Sequence, residues 1–388
     1  MSWSSAALGE LCEISIGRTP SRSESAYWSG GTEPWVSISD LRQEVVDETR
    51  ESITELGARE SGAKKVKAGT LLMSFKLSIG KLAFAGRDLY TNEAIAALTP
   101  KSQKLDSRYL WRSLERIDFD GAGNRAVMGN TLNKSSLAQI KLPIPPLDEQ
   151  RRIAAILDKA DALRQKRKRA IALLDSLTQS IFSDLFGDPS HNPLGLPVGK
   201  IGDLLDDTSY GSSGKAGPTG EYPMLRMGNL TPSGQMDYSD LKYIDLTENE
   251  VDRYTVKKGD ILFNRTNSAE LVGKTAVFDR DEPYAFAGYL VRARTSSGYS
   301  PEYVSGYLNS RHGKKTLRGM AKSIVGMANI NAKEMQTIPI LVPDQASQRQ
   351  YSRLIEGIAG RRIRYDDSLG EIDTLFASLQ HRAFSGQL

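Results

Sequence analysis

Two hydrophobic patterns divide this chain. Short apolar runs bounded by Gly and Asn recur as GTLLMSF (69–75), GDILFNR (259–265) and KTAVFD (274–279), and such runs predict strands. Apolar residues spaced by three and four instead fill SRYLWRSLERI (107–117), PEYVSGYLNS (301–310) and two far longer stretches, which predicts helices. The first long stretch begins within LPIPPLDEQRRIAAILDKADALR (142–164) and stops at the breaker cluster GDPSHNP (187–193). Starting at Ile153, a three-four alternation selects Ile156, Ala160, Leu163, Arg167, Ala170, Leu174, Leu177 and Ile181. In the second stretch it selects Tyr351, Leu354, Ile358, Arg361, Tyr365, Ser368, Ile372, Leu375 and Leu379. Each set is a heptad seam with polar interruptions. At 1.5 Å per residue, about 35 residues make a rod of roughly 50 Å, long enough to be a spacer. The plainer alternative is an amphipathic helix lying across its own domain.

The helices recur because the chain repeats. GNTLNKSSLAQIKLPIPPLDEQRR (129–152) matches MANINAKEMQTIPILVPDQASQRQ (327–350) without a gap, pairing Asn133 with Asn331, Pro145 with Pro343 and Gln150 with Gln348. Upstream, PWVSISDL (34–41) resembles PMLRMGNL (223–230), VKAGTLLMS (66–74) resembles VKKGDILFN (256–264), and SIGK (78–81) parallels LVGK (271–274). The spacing between matches drifts, as it does when loops of a duplicate take up insertions. Equal length and phase favour two helices that pair with each other, antiparallel. The expected fold class is therefore α+β: two similar mixed domains at 1–145 and 189–343, with spacer helices at 146–188 and 344–388 and an internal pseudo-two-fold repeat.

Composition narrows the class. A chain of 388 residues with 39% hydrophobic and 25% charged residues suits two folded domains. It has no apolar run near the roughly 20 residues of a membrane span. Its start, MSWSSAALGELCEI, lacks the basic and apolar regions of a signal peptide. A single cysteine, Cys12, makes no internal disulfide, and together these features predict a cytoplasmic protein. A formal net charge of +4 permits nucleic-acid binding without demanding it.

Catalytic motifs are missing. His191, His312 and His381 are scattered, so no metal site is expected. FDGAG (119–123) follows a helix-like segment and not a strand, which disfavours a methyl-donor loop. SAELVGKT (268–275) has Ser where a phosphate-binding loop begins with Gly. IPPL (144–147) lacks the amide and the ring with which an adenine methyltransferase loop grips its base. What stands out instead are loops rich in Lys, Arg and Asn: KLSIGK (76–81), NRAVMGNTLNK (124–134), FNRTNS (263–268) and KSIVGMANINAK (322–333). Arg and Asn fit guanine and adenine edges, and Lys neutralises phosphates. The DNA-binding candidates are Lys76, Lys81, Arg125, Asn130, Asn133 and Lys134 in the first half, and Arg265, Asn267, Lys274, Lys322, Asn329, Asn331 and Lys333 in the second. KRKR (166–169) reads as a solvated helix face, with Arg167 on the seam snorkelling outward or meeting an acidic partner.

The segment PIPPLDEQRRIAAILDKADALRQKRKRAIALLDSLTQSIFSDLFGDP (143–189) closely resembles the central conserved region of specificity (S) subunits of type I restriction-modification enzymes. The resemblance covers the whole chain. It implies two target recognition domains, each reading half of a bipartite DNA site, with the helix pair setting the spacing. It also implies that the chain is non-catalytic and carries no cofactor. The implied partners are double-stranded DNA, modification (M) subunits holding S-adenosylmethionine and, through the complex, restriction (R) subunits using ATP and magnesium. Gln345, Ala346 and Ser347 replace the Leu147, Asp148 and Glu149 of the signature, so the two M-docking surfaces need not be equivalent. A subunit of a bifunctional restriction-methylation enzyme and a stand-alone DNA-binding regulator are the alternatives.

Overall fold

The computed structural model describes residues 3–117, 119, 132–324 and 327–388, with Lys322, Ser323 and Ile324 described in backbone only. It divides into two compact units, one of Met1–Lys166 with Leu369–Leu388 and the other of Arg167–Ser368. Each long helix is thus shared between the units.

The first unit is built on a five-stranded sheet in the order Cys12–Ile16, Ile95–Pro100, Leu71–Ser74, Leu82–Ala85, Val45–Val46, antiparallel except for the last pair. The strand Leu71–Ser74 is apolar throughout because both faces are covered. Leu71 and Met73 join the core beneath the helices, while Leu72 joins a second cluster with Val36, Val46 and Ala83. The second unit repeats the plan in a four-stranded sheet, Leu205–Tyr210, Leu290–Thr295, Ile261–Asn264, Thr275–Val277. There Ile261 and Phe263 face one core and Leu262 the other. The glycine before each central strand has a backbone reason: Gly69 and Gly259 sit at φ +80° and +91°, in turns closed by Thr70 N–H to Lys67 O (3.2 Å) and Asp260 N–H to Lys257 O (2.9 Å). A positive φ at the third turn position selects Gly.

The Pro-to-Gln signature is a clamp. Gln150 and Gln348 are buried, and Gln150 accepts from Asp106 N–H at 2.9 Å while donating to Lys104 O and Pro145 O. Gln348 accepts from Ser300 N–H at 3.0 Å and donates to Pro343 O. Asp106 and Ser300 cap the helices Ser107–Glu115 and Pro301–Asn309, whose Tyr109 and Tyr303 hydroxyls donate to Pro143 O (2.7 Å) and Leu341 O (2.6 Å). One amide side chain thereby fixes a domain helix to the start of a long helix in each unit.

The long helices span Leu147–Phe186 and Gln345–Ser385. Gly187 and Gly386, at φ +73° each, end them in the left-handed conformation typical of a helix stop. Within the first unit their segments run antiparallel, with Arg152 donating to Leu388 O at 2.7 Å and Arg164 pairing with Asp373 at 2.6 Å. Within the second unit Arg167 stacks on Tyr365, Arg362 pairs with Asp175 and Phe182 packs on Tyr351.

The seam itself differs from the expected one. Its anchors Ile153, Ala160, Arg167, Leu174 and Tyr351, Ile358, Tyr365, Ile372, Leu379 are buried or half-buried, but most intervening positions are one residue later: Leu157, Arg164 and Thr178, and Ile355, Arg362 and Phe376, while Ala170 and Ile171, and Ser368 and Leu369, are half-buried alike. Leu163, Leu177, Leu354 and Leu375 are instead exposed at 53%, 42%, 42% and 53%. Ile156 and Ile181 are half-buried. Counting apolar residues favours Leu163 over Arg164, yet the guanidinium lies over the Phe376 ring with a carboxylate beside it, which makes a charged residue the better seam filler there.

Candidate nucleic-acid interface

In the second unit, loops separated in sequence meet in one small sheet of Thr266–Asn267, Met327–Asn329 and Lys322–Ile324. The register sets Thr266 and Lys322 on either side of Asn329, and Asn267 opposite Ala328. Ile330 N–H donates to Arg265 O at 2.8 Å, extending the join. Arg265, Asn267 and Asn329 are therefore neighbours. The Arg265 guanidinium lies 4.8 Å from the Tyr210 ring centroid, and its backbone N–H donates to Tyr289 O. Tyr210, Tyr289 and Met327 are large, exposed side chains around this cluster. Amide and guanidinium groups interleaved with rings suit base edges and faces.

The remaining second-half candidates divide by role. Asn331 caps the helix Ala332–Gln336, accepting from Glu334 N–H at 2.9 Å, and Lys333 is exposed on that helix. Lys274 is buried and donates to Met227 O and Leu230 O, so its ammonium serves as an internal tie between a turn and the sheet. Burial lowers its pKa. Lys322 has no described side chain.

Next to this face stands a feature the sequence reading passed over. The helix Arg311–Met320, capped by Ser310, carries Arg311, Lys314, Lys315 and Arg318, none of which forms an ion pair among the described residues. Burial, with Lys274 and Arg318 nearby, pushes the Lys314 ammonium down to about 8. Uncompensated cations on one helix are an electrostatic seat for phosphates. The signal is legible as cations spaced by three and four in RHGKKTLRGM, outside the Asn-rich loops.

In the first unit, Lys76 and Lys81 are exposed on the hairpin joining Leu71–Ser74 to Leu82–Ala85. Asn133 caps the helix Lys134–Ala138, its side chain accepting from Ser135 and Ser136 N–H. Lys134 lines a cleft of about 550 Å³ with Arg18, Lys64 and Lys101, along the edge strand Cys12–Ile16. This basic groove gathers three cations that the sequence pattern had not linked to Lys134. Arg125 and Asn130, with most of FDGAG, lie outside the described residues. Among the described residues no group of His, Cys, Asp and Glu is arranged to hold a metal ion, and no helix is long and apolar enough to cross a membrane. Cys12 is a core residue whose thiol burial pushes up to about 12, with Lys101 opposing.

Residues 2–173 and 198–358 match the family model described as the type I restriction modification DNA specificity domain. Among curated proteins, the EcoKI specificity subunit of Escherichia coli (strain K12) is 25% identical over 359 residues, covering 85% of this chain and 74% of that protein. The MjaIX specificity subunit of Methanocaldococcus jannaschii is 27% identical over 224 residues, 52% of this chain and 51% of that one. A crystal structure of the type I restriction-modification S subunit from M. genitalium aligns with a TM-score of 0.59 at 12% identity, covering 99% of this chain and 96% of the other. A structure described for complex assembly and conformational transition of the type I R-M system aligns at 0.55 with 17% identity, covering 100% and 98%. At these identities the two structures establish the shared fold.

Proposed function

The chain belongs to the type I restriction-modification DNA specificity family, and from that premise we propose how its parts divide the work of a DNA-recognition subunit. Each unit reads one half of a bipartite site. The observation that carries this is the convergence of Arg265, Asn267 and Asn329 at one small sheet, beside the four cations of Arg311–Met320 that form no ion pair among the described residues. Bases are read by the sheet and phosphates are held by the helix. In the first unit the basic groove of Arg18, Lys64, Lys101 and Lys134 holds the backbone.

The long helices set the gap between the half-sites and dock the modification subunits. The leucines displaced from the seam, Leu163 and Leu177 on one helix and Leu354 and Leu375 on the other, supply apolar contact for that docking. The two docking surfaces differ in affinity, because Glu149 pairs with Arg152 where Ser347 instead turns back onto Asp344. The chain itself is non-catalytic and holds no cofactor. S-adenosylmethionine belongs to the M subunits, and ATP with magnesium to the R subunits that join through them. The working place is the cytoplasm.

Mapping methylated adenines in cells that express this chain with its M subunits gives the site. Arg265→Ala relaxes one position of one half-site at a cost of roughly 1–3 kcal/mol, whereas Arg318→Ala weakens all sites alike. If Arg265→Ala left the methylated motif unchanged, the reading surface would lie elsewhere.

A further inference from the structure

The hairpin tip of the first unit holds an apolar side chain under two constraints that the free protein does not explain. Leu77 is 92% exposed, the most exposed large hydrophobic side chain among the described residues. It also sits at φ +60°, in the left-handed region where a branched side chain crowds its own backbone. Scattered exposed leucines are ordinary, and so are left-handed turns, but turns of that kind normally select Gly or Asn.

The stem holds this geometry in place. Ser74 is buried, its hydroxyl donates to Ser78 O and accepts from Lys81 N–H at 3.0 Å, and its backbone pairs with Lys81 and Gly80. The tip is therefore presented by a closed loop, flanked by exposed Lys76 and Lys81, which form no ion pair among the described residues. In the second unit Asn264 and Lys274 make the same backbone closure, but the loop between them is longer and carries the polar Arg265 and Asn267. That loop has its own exposed leucine, Leu271, but at 37% exposure against 92% for Leu77.

We propose that Leu77 is a specificity-determining residue that makes apolar contact with the 5-methyl group of a thymine in the half-site read by the first unit. This rests on the DNA-reading role of that unit. Thymine is the base whose major-groove edge offers a methyl group, and an apolar side chain is its match. Lys76 and Lys81 straddle the tip with charge for phosphates on either side. A rigid, preorganised leucine loses little freedom on contact, which turns the strain of the free loop into selectivity in the complex.

The test uses the full chain with its M subunits and duplexes bearing the motif that the wild-type complex methylates. Each thymine of the motif is replaced in turn by deoxyuridine, which removes only the methyl group. One replacement should weaken wild-type binding about fourfold, the scale of one apolar carbon withdrawn from water. Leu77→Gly, which keeps the left-handed backbone, should lose a similar factor on the natural duplex and nothing further on that deoxyuridine duplex. Leu77→Met should retain most of the discrimination. Losses that multiply at every thymine would overturn the proposal, as would an unchanged affinity for Leu77→Gly. A loss that ignores every methyl group would equally sink it, and would point to a leucine wedged between bases. If the wild-type complex fails to prefer its motif over a scrambled duplex, it is the DNA-reading role that fails, a result separable from the others.

Discussion

In the first unit the domain helix Ser107–Glu115 meets the helix Leu147–Phe186 through charge, and in the second its counterpart Pro301–Asn309 meets both long helices through rings. Arg112 is 2% exposed and donates to Asp158 at 2.8 Å, Glu115 at 2.7 Å and Asp161 at 3.4 Å, with Arg108 sharing Asp158. Its repeat position is Gly306, where an added Cβ would collide with the Tyr351 hydroxyl and crowd Phe182. Tyr351 in turn stands where the first unit has Ile153. Phe182, Phe186, Tyr303 and Tyr351 fill the space, with ring centroids 4.8 to 5.8 Å apart. The same two positions are thus filled by an arginine and an isoleucine in one unit and by a glycine and a tyrosine in the other. The shared clamp of Gln150 and Gln348 fixes the backbone frame, so what fills the frame is free to diverge.

Breaking each junction should give the largest effects. Arg112→Ala empties the space of a buried side chain and removes its charge-assisted hydrogen bonds, while Asp158 and Asp161 keep Arg108 and Arg164, and it should cost about 2–4 kcal/mol. Phe182→Ala opens an aromatic cavity and should cost about 3–5 kcal/mol. The two are separable, because all four tryptophans (Trp3, Trp28, Trp35 and Trp111) belong to the first unit. Tryptophan fluorescence should register the early unfolding of Arg112→Ala, and hydrogen exchange of Tyr303 and its neighbours that of Phe182→Ala. Identical fluorescence shifts in both variants would show that the units do not unfold as separate bodies. Arg112→Met sharpens the contrast: a buried ion network replaced by an apolar chain of similar length is often neutral or stabilising, so this variant should regain most of what alanine loses.

A smaller effect is expected from overpacking. Gly306→Ala forces a methyl group toward Tyr351, at a cost of about 1–3 kcal/mol in denaturant unfolding. Tyr351→Phe in the same chain should recover part of it, since the hydroxyl is the group in the way. The clamp should respond alike in the two units: Gln150→Ala and Gln348→Ala each strand buried backbone groups, at about 1–3 kcal/mol apiece. A large inequality between them would show that the frame, and not only its filling, has diverged.

These junctions also explain what the sequence could tell. The duplication, both long helices and the stop of the first at Gly187 were legible because repeated segments, period and breakers can be read directly along the chain. The seam phase was not. Apolar counting cannot foresee that Arg164 and Arg362 take inward positions once Asp373 and Asp175 face them. Asn133 and Asn331 satisfied the pattern for base readers and for helix caps equally, and only the backbone shows the capping bonds. Lys274 looked like an exposed loop cation because the carbonyls that receive it, Met227 and Leu230, come from a distant turn. The convergence of FNRTNS with KSIVGMANINAK depends on strand pairing across the second unit, which no local pattern encodes.

The smallest expected effect separates stability from binding on the reading face of the second unit. Lys314 is held at about 8, below its ordinary 10.5, chiefly by burial and then by the positive charges of Lys274 and Arg318. Between pH 8 and 10.5 the unfolded chain carries the extra proton, so stability rises with pH across that window. Below pH 8 the full penalty of the charged, crowded ammonium is present. Lys314→Met should therefore stabilise the second unit at pH 7 by about 1 kcal/mol, the linkage value being reduced by the side chain's remaining exposure. It should also flatten the rise above pH 8. The same substitution removes a phosphate partner, so in the complex with M subunits it should weaken all DNA sites alike and lower the salt dependence by about one counterion. A charge kept at the expense of stability is a mark of function. If Lys314→Met left both the salt slope and the pH profile unchanged, the helix Arg311–Met320 would be a solvated face, and the phosphate contacts of the second unit would fall to cations such as Lys333.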